Sequence, residues 1–218
     1  MEIKPIDTAF LTRGSLKIKI VKVDSPTFFW IHIDHAREHL EELLEDLTGR
    51  MTRRGRFLRF IGPILPNELV AVQEGRRWQR GIVTHFIKSD IVAVALRDWG
   101  RIVQKSIFDL YILEDRFREE NWGAILCGLA HIQPTDGRVR WSRRDCELAR
   151  LLLEKRDGWM RILRPVRNDA ATISLELKCG GDEEMSNPQE LLIRMGCAER
   201  AQEIINSALP SVTQEIVN

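Results

Sequence analysis

Residues 94–103 read "VALRDWGRIV" and carry an Asp-aromatic-Gly triplet, Asp98-Trp99-Gly100, at the end of a run of β-forming residues. Glycine accepts a positive φ without a steric penalty, so this pattern predicts a tight turn directly after the tryptophan. The turn would hold Trp99 at the rim of a small sheet. Around it, residues 68–113 form short β runs joined by brief polar links. Short strands with tight links predict a small, strongly bent barrel of five strands.

The sequence on either side of these runs mixes strands and helices. Residues 15–33, "SLKIKIVKVDSPTFFWIHI", predict a β-hairpin, and residues 34–51 predict a helix capped by Asp34 and ended by Gly49. Further on, residues 124–134 predict a buried strand, followed by a helix from Ser142 to Gly158, two strands, and a helix capped by Asn187. The two flanks are each too small for a core. We therefore expect them to join into one mixed α/β domain with the barrel inserted in it.

The composition is that of a folded protein with balanced charge. The chain has 218 residues, of which 44% are hydrophobic, and its 33 Lys and Arg residues stand against 32 Asp and Glu residues. This balance does not favour general nucleic-acid binding, which usually shows as a basic excess. The sequence has no apolar run of membrane-spanning length and no secretory pattern at its N-terminus, so we expect a soluble protein that is not secreted.

No metal site, disulfide framework or catalytic centre is predicted. The four cysteines, Cys127, Cys146, Cys179 and Cys197, lie far apart, and we expect reduced thiols. The His-x-x-Glu-His pattern of residues 35–39 has metal-ligand spacing on a helix but lacks a distal third ligand, so a solvated helix face is favoured. We therefore expect no metal, no cofactor and no enzymatic activity.

Five stretches, taken in order, resemble the extended Tudor domain, in which a Tudor barrel is inserted in a staphylococcal-nuclease-like OB fold. They are "SPTFFWIHI", "LVAVQEGRRWQRGIV", "VAVALRDWGR", "LCGLAHIQP" and "ELLIRMGCAER", and the resemblance covers about residues 14–200. It implies a β-rich α+β fold. The expected parts are residues 1–53 (the N-terminal part of the OB domain with a linker helix), 54–118 (the Tudor barrel) and 119–218 (the C-terminal part of the OB domain).

The resemblance implies a binding site that this sequence has largely lost. Most members bind symmetrically dimethylated arginine in a cage of four aromatic residues and one asparagine. The aromatic positions of the cage fall here on Gln73, Gln79, Leu96 and Trp99, and the asparagine falls on Arg101. Only Trp99 is aromatic. Amide oxygens of the two glutamines are expected to accept N–H groups of an unmodified guanidinium, which needs partners when it is desolvated.

Asp98 is expected to pair with a neighbouring arginine, Arg80, with direct ligand contact as the alternative. The family further implies a non-enzymatic scaffold module that binds the arginine-rich N-terminal tail of a Piwi-class Argonaute. The expected tail is unmethylated and extended, and it lies in the cleft between the barrel and the OB part.

The family setting is the germline piRNA pathway, in cytoplasmic perinuclear granules (nuage), where such domains support gene silencing. The degenerate cage also resembles that of an insect scaffold of this pathway. Two alternatives stay open: an atypical reader of dimethylarginine, and an RNA-binding module that makes a weak RNA contact through Arg50–Arg59. A nuclease of the OB type would need a cluster of acids around calcium, and the sequence shows no such cluster on the predicted strands.

Overall fold

The computed structural model describes residues 2–60, 62–167, 169–178 and 185–201. Two compact units make up this part of the chain, and each is assembled from separate stretches of sequence. One unit holds residues 1–5 and 35–123, and the other holds residues 6–34 and those from 124 onward. The helix that follows residue 34 therefore belongs to the barrel's unit, whereas the sequence placed it with the N-terminal OB strands.

The elements of both units are named here in chain order. The helices are α1 Asp34–Arg54, α2 Arg143–Leu153 and α3 Pro188–Arg194. The strands are β1 Leu16–Ser25, β2 Phe28–Ile33, β3 Leu69–Glu74, β4 Arg77–Lys88, β5 Ile91–Leu96, β6 Arg101–Ser106, β7 Tyr111–Ile112, β8 Ile125–Leu129, β9 Ile132–Pro134, β10 Asp157–Arg167, β11 Ala170–Lys178, β12 Met185–Ser186 and β13 Ala198–Arg200.

Strands from both flanks of the sequence form one closed sheet. The order is β10-β1-β2-β8-β11-β12, and a further pairing of β10 with β11 closes the first five strands into a ring. Strands β8 and β11 pair in parallel, and the other neighbouring strands of the ring pair antiparallel. Helix α2 lies in the chain between β9 and β10. The sequence predicted that the two flanks join into one OB-like domain, and this closed ring of five strands is built from both of them.

The helix boundaries follow the sequence at their start more closely than at their end. Ser142 and Asp145 form the predicted capping box of α2. The helix ends at Leu153, however, and Gly158 lies in β10, where an added Cβ would stand 2.5 Å from the carbonyl oxygen of Glu176. Helix α1 likewise runs through Gly49 to Arg54, because its apolar face continues to Met51.

The barrel's unit has a sheet in the order β6-β5-β4-β3-β7. Alternate residues of its strands feed two hydrophobic clusters. Cluster A lies on the face that carries Trp78 and includes buried residues of α1, namely Leu40, Leu44, Leu47 and Met51. Cluster B fills the other face with Val70, Val72, Val83, Val92, Val94, Leu96 and Leu110. The predicted five-strand barrel is thus confirmed, and α1 is part of its core.

No helix in the described part of the chain is long and apolar enough to cross a membrane.

Candidate functional site

The turn after β5 takes the form that the Asp-Trp-Gly triplet predicts. The backbone N–H of Trp99 donates to the carbonyl oxygen of Leu96 at 3.0 Å, and Gly100 has a φ of +61°. A side chain at residue 100 would be strained in this left-handed conformation. Trp99 is partly buried and packs against both cluster A and cluster B. Its ring is therefore fixed between the two faces of the barrel while part of it stays in contact with solvent.

A hydrogen bond from β4 fixes the orientation of the Trp99 ring. The indole Nε1–H donates to Oε1 of Gln79 at 2.8 Å. Gln79 is only 5% exposed, so its amide is largely removed from water. The amide oxygen has two lone pairs, and the indole N–H occupies one of them. Gln79 thus holds the Trp99 ring in place from a buried position, whereas the sequence predicted an open polar wall.

The next residue of β4, Arg80, forms the buried ion pair expected with Asp98. Its Nε and Nη2 donate to the two carboxylate oxygens at 2.9 and 2.7 Å, and both side chains have no exposed surface. A bidentate arginine–carboxylate pair of this kind is strong and geometrically specific. Asp98 also accepts the backbone N–H of Gly123 at 2.8 Å. The expected pairing is confirmed, and the carboxylate is turned toward the protein interior.

All five N–H donors of Arg80 are used within the protein. Beyond Asp98, they donate to the carbonyl oxygens of Phe117, Glu120 and Asn121 at 2.9–3.1 Å. The ring of Trp122 lies 5.2 Å from the guanidinium carbon, in cation–π range. The barrel therefore encloses an arginine of its own, which ties the segment after β7 to β4.

The two glutamines of the expected polar wall are not brought together. Gln73 pairs with Trp78, and Gln79 pairs with Val72. Since directly opposed residues share a face and successive residues alternate, Gln73 and Gln79 project from opposite faces of the hairpin. Gln73 is exposed, and its amide N–H donates to the carbonyl oxygen of Gly75 at 3.3 Å.

Leu96 and Arg101 oppose each other across β5 and β6, but only one of them reaches solvent. Leu96 has no exposed surface and belongs to cluster B, so its side chain offers no surface to a ligand. Arg101 is exposed, and it shares a face with Leu96 two residues after Trp99. Of the six predicted site residues, the structure thus leaves Gln73, Trp99 and Arg101 with accessible surface. Gln79 is buried with a hydrogen bond to Trp99, and Asp98 is buried with Arg80.

The basic stretch from Arg50 to Arg59 is partly neutralised. Arg50 donates to both carboxylate oxygens of Glu114, at 2.7 and 2.5 Å. This hydrogen bond holds the pKa of Glu114 below its usual value and raises that of Arg50. Arg53, Arg54 and Arg59 are exposed, and Phe57 beside them is 69% exposed. Phe60 instead packs against cluster B.

The described residues contain no group of three or more His, Cys, Asp or Glu side chains placed to hold a metal ion. His35, Glu38 and His39 are all exposed on α1. Among the cysteines, burial raises the pKa of the Cys127 thiol and also that of Cys197, which keeps both protonated at neutral pH. Cys179 lies outside the described residues.

Sequence reasoning missed two features of the site. The carbonyl groups around Arg80 are backbone atoms of the segment after β7, and no pattern of side chains in the sequence predicts their position. The Gln79–Trp99 bond depends on how β4 packs against the turn between β5 and β6, which no local pattern of residues indicates. A glutamine next to an arginine, one strand before the strand that ends at the Asp-Trp-Gly turn, is the signal that could have suggested it.

Known protein structures with a similar fold are extended Tudor domains. No curated protein sequence matches the chain. The structure is similar to an extended Tudor domain of mouse TDRD1 in complex with a MILI peptide containing dimethylarginine, with a TM-score of 0.77, 18% identity, and coverage of 92% of this chain and 100% of that one. It is also similar to the extended Tudor domain of Drosophila melanogaster Papi, with a TM-score of 0.76, 18% identity, and coverage of 86% and 100%.

A variant of the Papi domain solved with an unmethylated N-terminal Piwi peptide has a TM-score of 0.73 at 18% identity, and covers 86% of this chain and 100% of that one. At these identities the likeness concerns the fold. The Tudor domain family model matches residues 14–131, which is more than half of the chain. Tudor domains are binding modules and not enzymes, and this chain belongs to the Tudor domain family.

Proposed function

We propose that the chain is a peptide-binding scaffold module that takes an arginine-containing tail of a Piwi-class Argonaute and does not require the arginine to be methylated. The observation that carries this proposal is the state of Trp99. It is the one aromatic residue left at the four cage positions, and its indole N–H is held by Gln79. One ring can stack on a guanidinium, but it cannot surround methyl groups with apolar walls.

The solved relatives support an arginine peptide as the class of ligand. The TDRD1 domain was crystallised with a dimethylarginine peptide of MILI, and the Papi variant with both unmethylated and symmetrically dimethylated Piwi peptides. The fold thus accommodates both forms of arginine. In this chain the exposed Arg101 stands where the cage asparagine falls, so an amide that would accept from the ligand is replaced by a cation.

The direct test is calorimetry with an arginine-rich Piwi-tail peptide, unmethylated and symmetrically dimethylated, measured side by side. We expect the unmethylated peptide to bind at least as well as the dimethylated one. A tenfold gain on dimethylation, about 1.4 kcal/mol, would contradict the proposal and favour the atypical methylarginine reader.

Trp99→Ala gives the second arm of this test. A single cation–π contact is worth about 0.5–2 kcal/mol, so we expect binding of the unmethylated peptide to weaken about two- to thirtyfold. Trp159→Ala is the matched control, because it removes an exposed tryptophan from the OB unit and leaves the barrel intact. Equal affinity of wild type and Trp99→Ala would place the peptide elsewhere.

RNA binding through residues 50–59 is a second candidate function. It is favoured by the exposed Phe57 between exposed arginines, and it is weakened because Glu114 already holds Arg50. A salt titration separates the two functions, since phosphate binding falls linearly in log affinity against log salt. If the peptide proposal holds, we expect the protein to reside in the perinuclear germ granules of the piRNA pathway, which immunofluorescence would reveal.

A further inference from the structure

Strand β10 of the OB unit carries an exposed tryptophan on its outer face. Burial alternates along this strand, with Gly158, Met160 and Ile162 turned to the interior. Trp159 lies between two of them on the outside and is 41% exposed. A tryptophan is costly to leave in water, because it exposes a large apolar area. Its place on a regular strand, with both neighbours buried, fixes the ring on the convex side of the barrel.

Basic residues and hydroxyl groups continue from Trp159 along the same face. Two residues on lies Arg161, which is exposed and makes no ion pair within the described chain. After a bulge the outward position passes to Arg164. Directly across on β11, Ser174 faces Arg161 and Thr172 faces Arg164. Arginine, serine and threonine are the side chains that most often contact phosphate oxygens.

The strand on the other side adds lysines to this face. Lys17 of β1 pairs directly with Trp159, and Lys19 pairs with Asp157. Asp34 holds the ammonium of Lys17 at 2.7 Å, and Glu176 lies on the other side of Trp159. The nearest arginine on this face, Arg161, therefore lies on one side of the tryptophan, two residues further along β10. We call the row Trp159, Arg161, Arg164, Ser174 and Thr172 the β10 strip.

We propose that the β10 strip binds single-stranded nucleic acid, with a base stacked on Trp159 and the neighbouring phosphates on the arginines. A flat aromatic ring next to cations is the arrangement that single-stranded nucleic acids use on many proteins, because every base offers a face for stacking. A duplex keeps its bases paired and stacked, so the ring would have no partner there. An acidic peptide would use the arginines but not the ring.

The strip predicts a contact that depends on salt and not on sequence. The formal charge of the whole chain is only +1, so attraction over long distances is small and the binding is local. The surface is distinct from the 50–59 stretch, which belongs to the barrel's unit. It also shares no residue with the surface around Trp99, which belongs to the barrel's unit.

The test uses the full chain and a fluorescein-labelled oligouridine, followed by fluorescence anisotropy at several salt concentrations. Trp159→Ala is expected to weaken binding at least about fivefold, as the loss of one stacked base does, and Trp159→Phe is expected to retain most of the affinity. Arg161→Ala is expected to lower the slope of log affinity against log salt by about 0.7, the value for one phosphate contact on a single strand. Melting curves confirm that each variant is folded.

Arg144→Ala is the charge-matched control, because Arg144 is an exposed arginine of the same unit outside the strip. It is expected to bind oligouridine as the wild type does. The proposal is overturned if the wild type does not bind oligouridine, if Trp159→Ala binds unchanged, or if Arg144→Ala weakens binding as much as Arg161→Ala. Loss of binding only in the double variant Arg53→Ala, Arg54→Ala would assign the RNA contact to the other stretch.

Two further arms separate this proposal from its rivals. Competition by a polyglutamate peptide that equals unlabelled oligouridine would overturn it in favour of an acidic protein partner. Titration of the same variants with the arginine-rich Piwi-tail peptide should show no effect of Trp159→Ala, while Trp99→Ala should leave oligouridine binding unchanged. Failure of one proposal is therefore visible without failure of the other.

Discussion

Arg80 shows how a charge can be kept in a hydrophobic barrel. A buried guanidinium is tolerated when its charge is balanced and each of its donors finds an acceptor. Asp98 supplies the charge and two acceptors, and three carbonyl oxygens between Phe117 and Asn121 supply the others. The side chain thus joins β4 to the segment that follows β7, where few strand hydrogen bonds are available.

Removal of either partner is expected to be costly. Asp98→Asn leaves the buried Arg80 charge without its counter-ion, so we expect the free energy of unfolding to fall by about 3–5 kcal/mol. Urea denaturation followed by circular dichroism would measure it. The control is Asp46→Asn, which breaks the half-exposed pair with Arg116 and should cost less than about 1 kcal/mol. Similar losses for both variants would mean that the buried pair has no special role.

The Arg50–Glu114 pair predicts a dependence of stability on pH. The pKa of Glu114 is lowered in the folded chain, chiefly by its hydrogen bond to Arg50. The folded state therefore gains stability from the ionised carboxylate above the pKa of the unfolded chain, and loses it as the pH falls through the lowered value. We expect Glu114→Gln to narrow the difference in unfolding free energy between neutral and acidic pH, relative to wild type.

The matched control for this pH profile is Glu119→Gln, since Glu119 is exposed and forms no ion pair with a described residue. That variant should follow the wild-type profile. If it narrows the profile as much as Glu114→Gln does, the effect comes from total charge and not from the pair.

At the scale of elements, two consecutive residues of strand β4 form hydrogen bonds to the turn between β5 and β6. Gln79 holds the indole of Trp99, and Arg80 holds the carboxylate of Asp98, its neighbour in the chain. Successive residues of a strand point to opposite faces, so the two bonds approach the turn from two sides. The turn is thereby held in one conformation, which limits the entropy that a ligand would have to remove from Trp99.

Gln79 and its neighbour in the chain, Trp78, are expected to have different roles, the first in binding and the second in stability. Gln79→Leu keeps the volume but leaves the indole N–H without its acceptor, so we expect peptide affinity to fall while the melting temperature changes by a few degrees. Trp78→Ala, by contrast, empties a site in cluster A where Trp78 is 8% exposed and stacks edge-on against Tyr111, and it should cost about 3–5 kcal/mol of stability. Peptide titrations and melting curves on both variants would show the split, and a reversed split would contradict it.

The sequence predicted the elements far better than the site. Alternation and capping residues identified the hairpin of β1 and β2, the barrel strands and the start of α2, because those signals are local. Two predicted helix ends were wrong. Helix α2 ends at Leu153, because Gly158 already belongs to β10. Helix α1 continues through Gly49 to Arg54, because burial of Met51 outweighs the helix-stopping tendency of glycine. The faces of Gln73 and Gln79 depend on the β3–β4 register, which a family comparison at single positions does not give.

At the scale of the whole molecule, the barrel's unit extends well beyond its five strands. Cluster A needs Leu40, Leu44 and Leu47 from α1 and Phe117 from the segment after β7. Ile3 from the N-terminus also belongs to it. The barrel's unit is thus defined by the contacts of cluster A, and it includes residues before β3 and after β7.

Two fragments test this definition. A fragment of residues 62–115 lacks α1 and the carbonyl groups that receive Arg80, so we expect it to show no cooperative unfolding transition. A fragment of residues 35–123 retains both, and we expect it to fold, with some loss of stability because Ile3 is missing. Thermal unfolding followed by circular dichroism compares them, and a cooperative transition for 62–115 would show that α1 is dispensable.

The closed OB ring has a consequence for the order in which the chain acquires its structure during synthesis. Strand β1 pairs along one edge with β10, which is synthesised more than a hundred residues after it. The free edge of β2 likewise pairs only with β8, and residues 35–123 of the barrel's unit are made in the interval. Contacts this distant in sequence form slowly, because the entropy of closing a long loop is lost before the contacts contribute favourable free energy. The nascent hairpin therefore exposes two unpaired edges for seconds, at translation rates of about 5–20 residues per second, and it is the segment that a chaperone would have to shield.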